Sequence, residues 1–203
     1  NISRPWKKNY IWGWLQGLSE LPISSLDRLI LGAMSLELLG VFAFIKQINS
    51  LFGMLNTYYA NKLFSHLRTH GSSHLTPRAW PDQKALAIAA IIGGLTLSIL
   101  YSYRLSTLNE VFIPHTEIIT IFVLWSCITV SFYHVHIGTN LNGLTKEAFF
   151  IHILANSGYF AIVLLATFTE RPLAYAVTAL IAQQLLIILM KQRVLYLWYR
   201  KAN

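Results

Sequence analysis

Four stretches of this chain, 85–103, 113–133, 148–168 and 173–190, are each 18 residues or longer and predominantly apolar. At 1.5 Å rise per residue, about 20 such residues cross the hydrocarbon of a bilayer as a helix. A water-soluble fold would have to bury all four against one another. The polar surface for that is missing, because charged residues make up 12% of the chain and hydrophobic ones 55%, against about 25% charged in average soluble domains. Lipid is the better solvent, and the fold class expected is an all-α, polytopic membrane helical bundle.

Two earlier stretches are less clean. Residues 10–33 carry Glu20, Pro22, Asp27 and Arg28, and residues 38–64 carry Lys46, Gln47 and several asparagines. Counting both gives about six spans, 10–33, 38–64, 85–103, 113–133, 148–168 and 173–190, followed by a basic tail at 191–203. Short polar caps join the first two and the last two spans, where Pro172 is suited to the first turn of a helix. Residues 68–84 form a longer loop marked by Gly71, Pro77 and Pro81. The Gly-, Asn- and Thr-rich 138–146 reads as a turn.

Lysine and arginine assign the orientation. Arg4, Lys7, Lys8, Lys62, Arg68, Arg78, Lys84, Lys146, Lys191, Arg193, Arg200 and Lys201 fall on one set of connections, and only Arg104 and Arg171 on the other. Twelve against two places the first set, and with it both termini, in the cytoplasm. The same placement of charge at the ends of apolar segments removes nucleic acid as a partner, since a nucleic-acid reader needs a basic face on a soluble scaffold. Cys127, the one cysteine, lies in an apolar run, where it reads as a small hydrophobe.

Polar groups inside the spans are the candidates for function. A lysine at mid-bilayer costs about 2.5–3.5 kcal/mol on insertion scales and should face a cavity or a partner. Lys46 lies about 13 Å in from Glu37 at the helical rise, and Asn49, Gly53 and Asn56 share its helical face. Snorkelling to the headgroups is the structural alternative. Asp27 and Arg28 form a second charged pair, whose members point in different directions on a helix. His152 with Asn156, four apart, and Gln183 with Gln184 read as helix-packing or cavity-facing polar stripes. His66, His70 and His74 run into a polar loop, and His134 and His136 do not share a helical face, so no metal site is expected. Phosphate loops, nucleophile elbows and His-Glu-x-x-His motifs are lacking, and no cofactor is expected.

The run Leu26-Asp27-Arg28-Leu29-Ile30-Leu31-Gly32, followed by Glu37-Leu38-Leu39-Gly40-Val41-Phe42, resembles the polysaccharide-exporter branch of the multidrug/oligosaccharidyl-lipid/polysaccharide exporter superfamily. There an Asp-Arg-Leu-Ile-Leu-Gly-type helix meets the next through a Glu-Leu-Gly-Tyr-type turn; Phe42 replaces the tyrosine here. About 40 residues carry readable motif. The resemblance implies the carboxy-terminal six-helix bundle of a twelve-helix fold, an expectation that fits a first residue other than Met. It further implies a bacterial inner-membrane flippase for an undecaprenyl-linked oligosaccharide of surface polysaccharide or O-antigen synthesis, with membrane lipid and an amino-terminal bundle as its partners. Two bundles would rock about a central cavity. For the anionic headgroup, Lys46 and Arg28 are the expected contacts, with Asp27, Asn49 and Asn56 shaping the wall. Two rivals stand beside this: a non-catalytic assembly subunit that uses its helices only for packing, and a membrane-embedded glycan polymerase or acyltransferase.

Overall fold

A computed structural model describes residues 5–20, 23–70, 82–105 and 113–202. Every regular element among them is helical: α1 (Pro5–Glu20), α2 (Ile23–Met34), α3 (Leu36–His70), α4 (Gln83–Leu105), α5 (Thr116–Val130), α6 (Tyr133–Leu141), α7 (Thr145–Ala166) and α8 (Pro172–Ala202), with one 3-10 turn at Ile113–His115. Four are long and apolar enough to cross a membrane, within α3, α4, α7 and α8, and the bent pair α5–α6 makes a fifth when taken as one span. The chain is an all-α, multi-pass membrane bundle.

The helices depart from the expected spans in four places. The stretch 10–33 is two helices rather than one, and the residues between them lie outside the described set. Both halves nonetheless run along α7 in the same direction. Trp12 packs on Phe149 and Phe150, Gln16 bonds His152, and Asp27 bonds Tyr159, so contacts on both sides advance together. The stretch 113–133 ends in a 43° bend between α5 and α6. Backbone N–H groups of Ser131 and Phe132 there turn back to Ile128 and Thr129, three residues earlier, instead of continuing the α pattern. What reads as a turn from residue 138 is α6, which runs on to Leu141. Only then does Gly143, at φ 72°, adopt the left-handed conformation that ends the helix. Finally, residues 191–202 form no loose tail but continue α8 to Ala202.

Ser35 alone separates α2 from α3. Its hydroxyl accepts the Glu37 N–H at 3.1 Å, which caps α3. Gly32 faces Leu39 across this corner, where a Cβ would stand 3.2 Å from a Leu39 methyl, so the missing side chain lets α2 fold back along α3. The core behind the corner is apolar: Leu31, Val41, Phe42, Ile45, Ile119, Phe122, Val123 and Val163 are fully buried. At Gly93 on α4, a Cβ would come within 2.6 Å of Cys127 Sγ. The thiol there donates to the Ala89 carbonyl at 3.3 Å, so Cys127 belongs to the close packing of α4 on α5.

Candidate functional site: a polar seam between α3 and its neighbours

The α2–α3 corner brings Asp27 and Lys46 together. Lys46 Nζ lies 2.6 Å from Asp27 Oδ2, with Asp27 wholly buried and Lys46 11% exposed. The same carboxylate oxygen accepts the Tyr159 hydroxyl from α7 at 2.7 Å, and Oδ1 accepts the Arg28 backbone N–H at 2.7 Å. The ammonium also sits 5.5 Å from the Phe42 ring centre and 5.8 Å from that of Tyr159, within range of cation–π attraction. Three helices thus meet on one neutral ion pair. Such a pair is costly to assemble in a low dielectric and costlier to break from one side.

One turn further along α3, Asn49 Oδ1 accepts Gln184 Nε2 from α8 at 3.0 Å, and Gln184 Oε1 accepts the Trp125 indole N–H from α5 at 2.7 Å. Next to it, Gln183 donates to Asn156 of α7 at 2.6 Å. The adjacent glutamines of α8 therefore hold α3, α5 and α7 through interhelical hydrogen bonds. Tyr159, Asn156 and His152 lie on one face of α7, and each meets a different helix: α2 through Asp27, α8 through Gln183 and α1 through Gln16.

Of the expected headgroup contacts and wall residues, then, Asp27, Lys46 and Asn49 fall on this seam. Asn56 is half-buried two turns beyond Asn49. Arg28 does not join them: its side chain is exposed on the far side of α2, because the residue after a buried one on a helix points about 100° away. Lys191, expected in the cytoplasmic tail, is instead 1% exposed inside α8, and its ammonium is 3.3 Å from His136 Nδ1 of α6. Gln183, Gln184 and Trp125 carry the seam without having been candidates for substrate contact. The glutamine pair in an apolar run was the signal available for two of them. No group of His, Cys, Asp and Glu suited to a metal ion occurs among the described residues.

The outward face of α3 is mixed: Leu51, Met54 and Tyr58 are exposed on it beside a row of small and polar residues. On α4 the large exposed residues are Ile88, Ile91, Leu95, Ile99 and Tyr101, and Ser98 and Ser102 are the exposed polar ones, with the Ser102 hydroxyl returned to the Ser98 carbonyl. On α3 the exposed residues include Gln47, Ser50, Gly53, Thr57 and Asn61. Ser50, Gly53, Thr57 and Asn61 follow one another at three- and four-residue steps, so they form a stripe on one side of the helix, and Lys46 stands at its head. Thr57 returns its hydroxyl to the Gly53 carbonyl at 3.0 Å. The stripe leaves the remaining polar side chains facing outward along a membrane-crossing helix.

Compared with protein-family models, with curated proteins and with solved structures, the chain matches none.

Proposed function

We propose that the chain is a membrane translocator bundle that carries a lipid-linked oligosaccharide, of the undecaprenyl-linked type used for bacterial surface polysaccharide, across the inner membrane by alternating access. The observation that supports this most is the polar stripe on α3. Polar side chains on the outside of a spanning helix are unfavourable against lipid tails and suit a water-filled path or a polar cargo. Lys46, partly exposed at the head of the stripe, offers the cationic contact that a pyrophosphate-linked lipid requires. The large apolar residues exposed on α4, Ile88, Ile91, Leu95 and Ile99, suit the bulk lipid around it. The charge asymmetry of the connections puts both termini in the cytoplasm.

The test is thiol access in cells. Ser50→Cys and Thr57→Cys, in a Cys127→Ala background, react with a membrane-impermeant maleimide, and added undecaprenyl pyrophosphate protects them. Ile91→Cys and Ile99→Cys on α4 do not react. If the α3 cysteines are as inert as those of α4, the path does not exist and the translocator reading falls.

One observation favours the assembly-subunit reading. Lys46 is already neutralised by Asp27, and the seam amides are bonded to one another, as a purely structural seam would have them. Under that reading the α3 stripe is covered by protein, and the maleimide finds no access from either side.

A further inference from the structure

α6 is nine residues long, yet Tyr133, Val135, Ile137, Gly138 and Thr139 are buried. It packs against α8 and α3 and touches α7, and it continues α5 after a bend of 43°. Its contact with α8 at Lys191 lies about two turns along that helix from Gln184 and Gln183, which hold Asn49 and Asn156.

Its attachment to α5 is a hinge. The N–H groups of the two residues between the helices make three-residue backbone bonds, and neither residue is a proline or a glycine, the usual local causes of a kink of this size. The bend is held from outside. The Asp82 N–H, at the start of α4, donates to the Ser131 carbonyl at 2.9 Å, which the break leaves without its helical donor. Asp82 Oδ1 caps α4 through the Lys84 and Ala85 N–H groups, and Oδ2 accepts the Tyr133 hydroxyl at 3.0 Å. The Tyr133 ring then lies 5.3 Å from that of Tyr59 on α3. At the next turn of α6, His136 meets Lys191 of α8, and Gly138 lies so close to Leu195 that a Cβ would be 3.0 Å from its methyl.

We infer that α6 is a hinged closure at the cytoplasmic end of the bundle, turning as a rigid helix about Ser131 and Phe132 and held shut by the Asp82–Tyr133 hydrogen bond. Swinging out exposes His136 and Lys191, whose polar groups exchange their protein contacts for water, but it also gives up the burial of Val135 and Ile137, so the closed position is the resting one. Opening admits water to the buried amides above, and closing excludes it. The closure goes beyond the translocator reading and gives its path an inner door.

The test places Thr139→Cys, buried on α6 when closed, in the Cys127→Ala background in inside-out membrane vesicles. An impermeant maleimide labels it slowly, and adding Tyr133→Phe, which keeps the ring and removes only the latch hydroxyl, raises the rate roughly three- to tenfold, as the loss of one hydrogen bond should. Backbone amide exchange within α6 stays unchanged, because the helix moves without unfolding. Gln184→Leu, which loosens the bundle elsewhere, leaves the labelling rate alone. An unchanged rate with Tyr133→Phe overturns the closure, as does a rise accompanied by loss of α6 amide protection. Ser50→Cys, measured in the same vesicles, separates the two proposals: if it reacts while Thr139→Cys does not respond to the latch, the closure alone fails.

Discussion

Asp27 and Lys46 lie eight residues before and eleven residues after Ser35, and the fold at that residue sets them 2.6 Å apart. Asp27 is wholly buried and Lys46 nearly so, so neither group has bulk water to turn to if the other is removed. Lys46→Ala should therefore destabilise the bundle by about 3–5 kcal/mol. The paired replacement Asp27→Leu with Lys46→Met should recover most of that loss, because well-packed apolar groups replace a buried pair at little cost. Thermal unfolding in detergent across the double-mutant cycle measures both effects. Arg28→Ala, one residue away and exposed, should stay within about 0.5 kcal/mol of the parent. A loss of transport in Lys46→Ala alone is thus uninformative; in the paired variant, with stability restored, it reports on headgroup binding.

The bonds of Gln184 predict a smaller and more local effect. Gln184→Leu removes the partner of Asn49 and the acceptor of the Trp125 indole at once. Interhelical hydrogen bonds in membranes average about 0.6 kcal/mol and reach about 1.7, so the loss should be about 1–2 kcal/mol. A double-mutant cycle with Asn49→Leu should show coupling on that scale, and additivity would mean that the amide pair contributes nothing.

Close packing of α4 on α5 predicts a specific rescue. Gly93→Ala introduces a Cβ that would stand 2.6 Å from Cys127 Sγ and 3.3 Å from a Val123 methyl. Overpacking of this kind costs about 1–3 kcal/mol. Adding Cys127→Ala removes the nearer atom and should return most of the loss, leaving the milder Val123 contact. Melting temperatures of the two single variants and the double variant decide it; a Gly93→Ala protein as stable as the parent would show that the two helices can part without cost.

What the sequence made legible and what it hid divide along one line: neighbours within a helix against neighbours across helices. Uninterrupted apolar runs of membrane length are local, and they reveal the helical membrane class; 85–103 lies inside α4 and 173–190 inside α8. Asn49 and Lys46 share a side of α3 because helical spacing dictates it. The partner of Lys46 is not local. Asp27 was visible as a charge in a span, but the fold-back at Ser35 that joins the two is a contact of one helix on another, close at Gly32 and Leu39, which no periodicity reports. The α5–α6 break was hidden for another reason. Ser131-Phe132 contains no helix breaker, and the contacts that hold the bend come from Asp82 and from α8. Lys191 shows the same limit: a lysine just past an apolar run has the pattern of a topology signal, while its burial is set by α6 packing over it.

Gly53 lies midway along the α3 stripe, and it separates pathway from packing in a single substitution. No atom lies within 4 Å of where its Cβ would be, so Gly53→Leu meets open space. Leucine is also the better helix former by about 0.5–1 kcal/mol, so the variant should be as stable as the parent or slightly more so. In a lipid-facing helix the change would be harmless or favourable. In a helix lining a path for a polar cargo, the isobutyl group fills that path, and transport of the lipid-linked oligosaccharide should fall by roughly tenfold or more, a barrier rise of about 1.4 kcal/mol per factor of ten. Gly94 of α4 is the matched control, since a Cβ there also meets open space on a spanning helix whose large exposed residues are Ile91, Leu95 and Ile99; Gly94→Leu should leave transport unchanged. Flipping of a fluorescent lipid-linked sugar and thermal unfolding, measured on both variants, give two readouts of opposite sign for Gly53→Leu. Equal transport in the two variants would place the α3 stripe outside any path, whatever its polarity.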